Sequence, residues 1–403
     1  MLEGKLGMKK YFFDNYFLRD NPFSITPTSK EIFWSDRKGI NENLERIIET
    51  SVATSPSRII VNWGDWGTGK THAMFYFTSD VFKKQFREKY GKAVDFLSVG
   101  VKLPRPVTSG TMGQSLYYEI INAIGIETIR RALMRISEHL NQEGYGGLKL
   151  RAEIEDYLKQ MTSRKEYSTM FIRLLGKARL LERKFLYGES LTSSELGRLN
   201  IPRGINSIND MLEVIGLVTN LLTQPFQELG EKYSEIFVWI DENEAIRELT
   251  AKDVFIYRSF IRDLVDYAST DLTIFLNFSL SPGEDLSTVE ASLGSAVNSR
   301  VDNHIFFPPI KTFDECVEYV EGLLHHFRTI EPEDPLHPFE REAFESIIKS
   351  RIERGWLPRE LNKVMAKILE MGFADKRKKI DKKFVNENKK VFLLKSAEGQ
   401  SIL

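Results

Sequence analysis

The chain is poor in the residues that build covalently or metal-stapled folds. Among 403 residues it has one cysteine, Cys316, and six histidines. A single cysteine excludes an intramolecular disulfide and suits a reducing compartment. The histidines are scattered, and the adjacent pair His325-His326 would face different ways on a helix, so no metal-chelating nuclease centre can be read from them. An excess of one charge is also missing. The 56 Lys and Arg against 57 Asp and Glu leave a net charge of −1, so contact with nucleic acid or anionic lipid would have to come from a local patch. No apolar run approaches the roughly 20 residues that span a bilayer. The opening MLEGKLGMKKYFFDNYF lacks the basic start, continuous apolar stretch and small-residue cleavage site of a secretory signal. A cytoplasmic protein without membrane contact is therefore expected. No fixed-period repeat and no low-complexity tract is present.

What the chain does have is the octapeptide GDWGTGKT at residues 64–71, directly after the apolar run Arg58–Trp63. It fits the phosphate-binding pattern G-x-x-x-x-G-K-[ST], with a strand expected before it and a helix after it. Gly64, Gly67 and Gly69 permit backbone conformations that a Cβ forbids, so the N–H groups of Asp65, Trp66, Thr68 and their neighbours can converge on a phosphate chain. Lys70 would neutralise the β- and γ-phosphates, the Thr71 hydroxyl would ligate Mg²⁺, and His72 continues the segment into the helix. A glycine-rich turn without a ligand is the weaker alternative, because the fixed positions recur by chance in only about one or two per cent of chains this long.

The pattern along the chain is that of alternating strands and helices. A helix is expected over Asn41–Thr50, a strand over Arg58–Trp63, one helix over Thr71–Tyr90, and strands over Ala93–Val101, Glu235–Ile240, Thr273–Leu280 and His304–Phe307. Strand, helix, strand at the start predicts a parallel sheet. The stretch from about 112 to 230 reads as helical, far longer than a crossover needs, and implies an inserted helical subdomain. After residue 312 only helical pattern remains, over Thr312–His326, Pro338–Glu353 and Leu357–Phe373.

Hydrolysis would need a metal carboxylate and a means of positioning water. The segment EIFVWIDE ends an apolar strand in two acids. Asp241 would hold Mg²⁺, and Glu242 would polarise the attacking water. Capping of the following helix by these acids is the structural alternative. Glu244 reads as a solvated or structural residue.

With these motifs in order, residues 15–373 resemble the AAA+ ATPases: an α/β phosphate-loop fold with a parallel sheet sandwiched by helices, a helical insertion and an all-α lid. The resemblance implies an N-terminal segment (1–55), an ATPase core (56–311) with its insertion, a lid (312–373) and a basic tail (374–403). It implies that Asn277 or Ser279, on TIFLNFSLS, senses the γ-phosphate. Arg300, in NSRV before the HIFF strand, would reach a neighbouring subunit's nucleotide in a homo-oligomer. Arg359, in GWLPR, would be the lid arginine, and Pro22, Phe23 and Asp36-Arg37 are candidates for adenine contact. The stretches NPFSITP and SRV…FFPPIKTFDE resemble the initiator-like branch, which spans origin-recognition, transposon target-selection and phage-defence ATPases.

The expected function is thus Mg-ATP hydrolysis coupled to a DNA-associated process, with a slow ATP-dependent switch as the alternative. About 30 residues follow Phe373, too few for the winged-helix domain of origin-recognition proteins. Any DNA contact would fall to the insertion, the tail or a DNA-bound partner complex. The insertion's Arg164, Lys165, Arg173, Lys177, Arg179, Arg183 and Lys184 read as the wet side of amphipathic helices. The tail reads as a solvated charge run. A two-lobed helicase would repeat the core, and a transporter ATPase would carry an LSGGQ-like signature; neither is found.

Overall fold

The structure is a computed structural model that describes residues 16–24, 32–35, 37–91, 94–162, 164–176, 180–224, 233–268 and 270–398. Pro27, Asp36, Lys177 and Arg179 lie outside the described residues. The chain forms two compact units, one from the described parts of Met1–Asn43, Gly64–Tyr76 and Phe306–Leu403, the other from Leu44–Trp63 and Phe77–Ile305.

The second unit is built on a five-stranded parallel sheet, β1 (Arg58–Asp65), β2 (Leu97–Lys102), β3 (Ile236–Asp241), β4 (Leu272–Leu280) and β5 (Val301–Phe306), in the order β2-β3-β4-β1-β5. This is the α/β fold the sequence predicts. Register is fixed by burial on both faces. Phe237 and Trp239 of β3 point into an aromatic layer in which Trp239 stacks on Phe275 at 3.8 Å and on Phe77 at 5.7 Å. Ile236, Val238 and Ile240 point the other way, into an aliphatic core shared with helices α4 (Met112–Ile124), α10 (Ile208–Thr223) and α11 (Ala251–Tyr267). Every residue of β3 is buried. A one-residue slip would exchange the two sets, which is why this register is strongly specified. Truncating Trp239 to alanine should cost about 3–5 kcal/mol.

The helix expected over Asn41–Thr50 is α1 (Lys38–Thr54), and the predicted single helix over Thr71–Tyr90 is two, α2 (Lys70–Thr78) and α3 (Asp80–Tyr90). Ser79 adopts extended backbone angles, and its hydroxyl accepts from the Phe82 N–H. Capping a new helix here outweighs continuing the old one. Between β2 and β3 the expected helical insertion is seen as α4 to α10, with α5 (Ile126–Gln142), α6 (Gly147–Met161), α7 (Lys165–Arg173), α8 (Leu180–Leu186) and α9 (Ser193–Leu199) between them. Buried Asp210 ties these helices together. It accepts from Arg164, Tyr167 and Arg203, and from the backbone N–H groups of Asn206 and Ser207.

The first unit has its own core around α14 (Phe313–Phe327), α15 (Arg341–Lys349), α16 (Pro358–Ala374) and α17 (Lys382–Glu398), after the short α12 (Leu286–Leu293) and α13 (Ser295–Asn298) of the other unit. The expected helix over Pro338–Glu353 is shorter at both ends. The segment read as a charged tail is largely helical: Phe384, Val385 and Phe392 on α17 are buried in this core.

Candidate functional site

In the first unit the phosphate loop is shaped by three glycines at positive φ: Gly64 at 150°, Gly67 at 84° and Gly69 at 105°. Two of them are also required by close approach. A Cβ on Gly64 would sit 2.4 Å from the Phe307 carbonyl oxygen, and one on Gly67 would sit 2.9 Å from Arg359 Cβ. At Gly69 the nearest atom to such a Cβ is Arg37 Nη1 at 4.0 Å, so the loop is open on that side but for the guanidinium.

Lys70, only 4% exposed, donates from Nζ to the carbonyls of Gly64 (2.8 Å) and Asp65 (2.9 Å) and to Thr68 Oγ1 (3.1 Å). A buried ammonium without such acceptors would be costly. The lysine therefore folds back over its own loop and fixes the loop's curvature. Thr71 follows it in the first turn of α2, while Asp65 and Trp66 lie exposed at the loop's tip.

Two arginines converge on this loop. Arg37 donates to the Thr68 and Pro308 carbonyls. Arg359 is brought in by the GWLPR segment. Trp356 and Ile310 exchange backbone hydrogen bonds at 2.7 and 2.8 Å, Pro358 opens α16, and the Arg359 N–H donates to the Gly67 carbonyl at 3.3 Å. Proline suits this first helical position because it has no N–H to leave unpaired. The Arg359 guanidinium has no ion-pair partner among the described residues, so a cation is held against the loop without a counter-charge. His72 turns away from the loop and donates to the Phe33 carbonyl at 2.9 Å. Burial keeps its pKa below the usual histidine range, so the ring is neutral near pH 7. Phe23, a candidate for adenine contact, is instead buried in the helical core.

In the second unit a chain of amides crosses the carboxyl ends of three neighbouring strands. Asn62 of β1 donates to Asn277 Oδ1 of β4 at 2.9 Å, and Asn277 donates to Asp241 Oδ1 of β3 at 3.1 Å. All three residues are buried. Asn62 Oδ1 is buried without a hydrogen-bond partner among the described residues. After Asp241 the chain turns sharply, with Glu242 in the left-handed region (φ 57°, ψ 38°). Asn243 holds this turn by donating to the Ile240 and Asn277 carbonyls and accepting from the Tyr257 hydroxyl at 2.6 Å. A non-glycine residue held at positive φ stores strain that clusters at functional positions. Glu242 accepts from Lys102 Nζ at 2.7 Å, because the β2–β3 register sets Lys102 beside Asp241.

Ser279 donates its backbone N–H to Glu244 at 2.9 Å, giving Glu244 a structural bond. Arg300 makes two hydrogen bonds to Asp266, at 3.1 and 2.9 Å.

Sequence reasoning missed Asn62 and Lys102. One signal for Asn62 was available, a lone amide inside the apolar run RIIVNW. Lys102 carries none, since only the strand pairing reveals its neighbour. The Thr71 hydroxyl of the first unit and the Asp241 carboxylate of the second are each oxygen donors of a kind that Mg²⁺ takes. The described residues contain no group of three or more His, Cys, Asp or Glu poised for a metal. No described helix is long and apolar enough to cross a membrane.

No family model matches the chain, and no curated protein matches it. Among solved structures it is similar to the Aeropyrum pernix ORC1 protein in complex with DNA, at 10% identity over 92% of this chain and 68% of that one, with a TM-score of 0.48. It is similar to the Aeropyrum pernix ORC2 protein in its ADP form, at 15% identity over 92% and 72%, also at 0.48. The match to Drosophila ORC bound to DNA has 11% identity over 94% of this chain and 64% of that one, at 0.46.

Proposed function

We propose that this protein binds Mg-ATP on the Gly64–Thr71 loop and hydrolyses it, coupling turnover to a DNA-associated process. The observation that carries this reading is the loop itself: three glycines at positive φ, a buried lysine and an uncountered arginine gathered around one backbone curl. In this reading Lys70 and Arg359 take the β- and γ-phosphates. From the sequence motifs, Thr71 and Asp241 would be the ligands of Mg²⁺, which would neutralise phosphate charge when bound. Asn277, which accepts from Asn62, or Ser279 would be the residue that senses the γ-phosphate. Glu242 takes the proton of the attacking water. Arg300 acts on the nucleotide of a second copy in a homo-oligomer.

One observation favours a slower device. Glu242 and Arg300, the two groups turnover needs most, are each held in an ion pair by the same unit, through Lys102 and Asp266. A nucleotide switch with low basal hydrolysis would have this arrangement. Glu242→Gln separates the readings from a loss of binding altogether: it should keep ATP affinity and stop phosphate release. Undiminished release in that variant would show that another base serves. Basal turnover that is negligible in the wild type, with or without DNA, would select the switch.

A further inference from the structure

The C-terminal helix of the first unit carries a charge distribution that solvation alone does not require. Between residues 375 and 392 there are eight Lys and Arg against three Asp and Glu, in a chain of net charge −1. The fold sorts these residues. Arg377 lies over the Phe384 ring at 4.8 Å and pairs with Asp381 at 3.1 Å. Ile380 is buried and hydrogen-bonded on both sides, to Pro338 and Glu340. With these two anchored, Lys376, Lys378 and Lys379 are left exposed on the turn. On α17, burial of Phe384, Val385 and Phe392 directs Lys382, Lys383, Lys389 and Lys390 to solvent, two turns of helix apart.

Lys382 and Lys383 have acidic partners, Glu342 at 3.6 Å and Glu387 at 3.9 Å. Lys376, Lys378, Lys379, Lys389 and Lys390 have no ion pair among the described residues. In the insertion, by contrast, several of the described cations are neutralised internally. There Arg164 pairs with Asp210 and Glu213, Arg173 with buried Glu182, and Lys184 with Glu195. Cations already neutralised internally release few counterions, whereas an unpaired row on a packed helix is positioned to do so.

We propose that the Lys376–Lys379 turn and the exposed face of α17 form a sequence-independent surface for the phosphate backbone of nucleic acid. A membrane surface fits less well. An interfacial helix needs a free apolar face, and Phe384, Val385 and Phe392 of α17 are spent in the core. This surface is independent of the ATP reading, and its test uses no nucleotide, so the two can fail separately.

The test is fluorescence anisotropy of a labelled mixed-sequence duplex with the full chain over a salt series. Full engagement of the five unpaired lysines gives a log–log salt slope near −4.5, or roughly 500-fold weaker binding at 200 than at 50 mM salt. Replacing all five with glutamine should flatten the slope by about 0.9 per lysine engaged, while the variant keeps the wild-type melting temperature. An unchanged affinity and slope in the five-fold variant overturns the proposal. So does a wild type that ignores duplex at low salt, or one that binds phosphatidylserine vesicles instead.

Discussion

Glu235 lies buried at the amino-terminal end of β3, away from the strand ends that carry Asp241. Its Oε1 accepts from Thr273 Oγ1 at 2.7 Å, and its Oε2 is buried without a hydrogen-bond partner among the described residues. Burial raises its pKa from 4.5 to about 8, against a smaller lowering by the Thr273 hydroxyl. The native state therefore holds this proton more tightly than the unfolded chain does. The resulting stability is complete below the unfolded pKa near 4.5 and is withdrawn as pH rises through 8. At 1.36 kcal/mol per pH unit, the ceiling on the loss is on the order of 4–5 kcal/mol. Glu235→Gln cannot ionise. Its amide leaves a buried donor poorly satisfied, at a pH-independent cost of about 1–3 kcal/mol. The variant should thus equal or fall below the wild type at pH 5 and exceed it at pH 9. In thermal melts across that range the difference should swing by on the order of 5–10 °C, at roughly 2 °C per kcal/mol for a large domain. A flat difference from pH 5 to 9 would refute the buried-carboxyl argument. ATP affinity, far along the strand, should not change.

Other substitutions probe the candidate site. Gly67→Ala places a Cβ at positive φ against Arg359 and should weaken ATP binding by roughly 5- to 30-fold, from roughly 1–2 kcal/mol of backbone strain; titration calorimetry reads this directly, and unchanged affinity contradicts the loop geometry. Lys102→Ala frees the Glu242 carboxylate and should raise the phosphate-release rate severalfold at constant ATP affinity; a fall in rate would mean that Lys102 assists the chemistry. Arg300→Ala should lower turnover without weakening ATP binding, and mixing it with Glu242→Gln subunits should restore activity; failure of mixed oligomers to recover would place Arg300's effect within its own chain.

The most legible parts of this protein are those written contiguously. GDWGTGKT states its backbone requirements in eight adjacent residues, and the apolar runs ending at Asp241 and Leu280 announce buried strands by composition alone. Boundaries were less legible, because they turn on single caps. Ser79 looks like any polar residue in a helical pattern until its hydroxyl is seen to cap α3. The residues around the candidate site that escaped the sequence are all defined by pairing. Asn62 matters through Asn277, and Lys102 matters because β2 lies in register with β3. The C-terminal lysines could be counted from the sequence, but their segregation from Phe384, Val385 and Phe392 needed the packed helix.

The central proposal, drawn from the sequence motifs, is that Lys70 and Asp241 serve one magnesium–triphosphate. Titration calorimetry of ATP with and without Mg²⁺, on the wild type, Lys70→Ala and Asp241→Ala, tests it most directly. The account predicts Mg-dependent binding by the wild type, none by Lys70→Ala, and residual binding indifferent to Mg²⁺ by Asp241→Ala. Wild-type affinity in Lys70→Ala, or full magnesium dependence in Asp241→Ala, would contradict it.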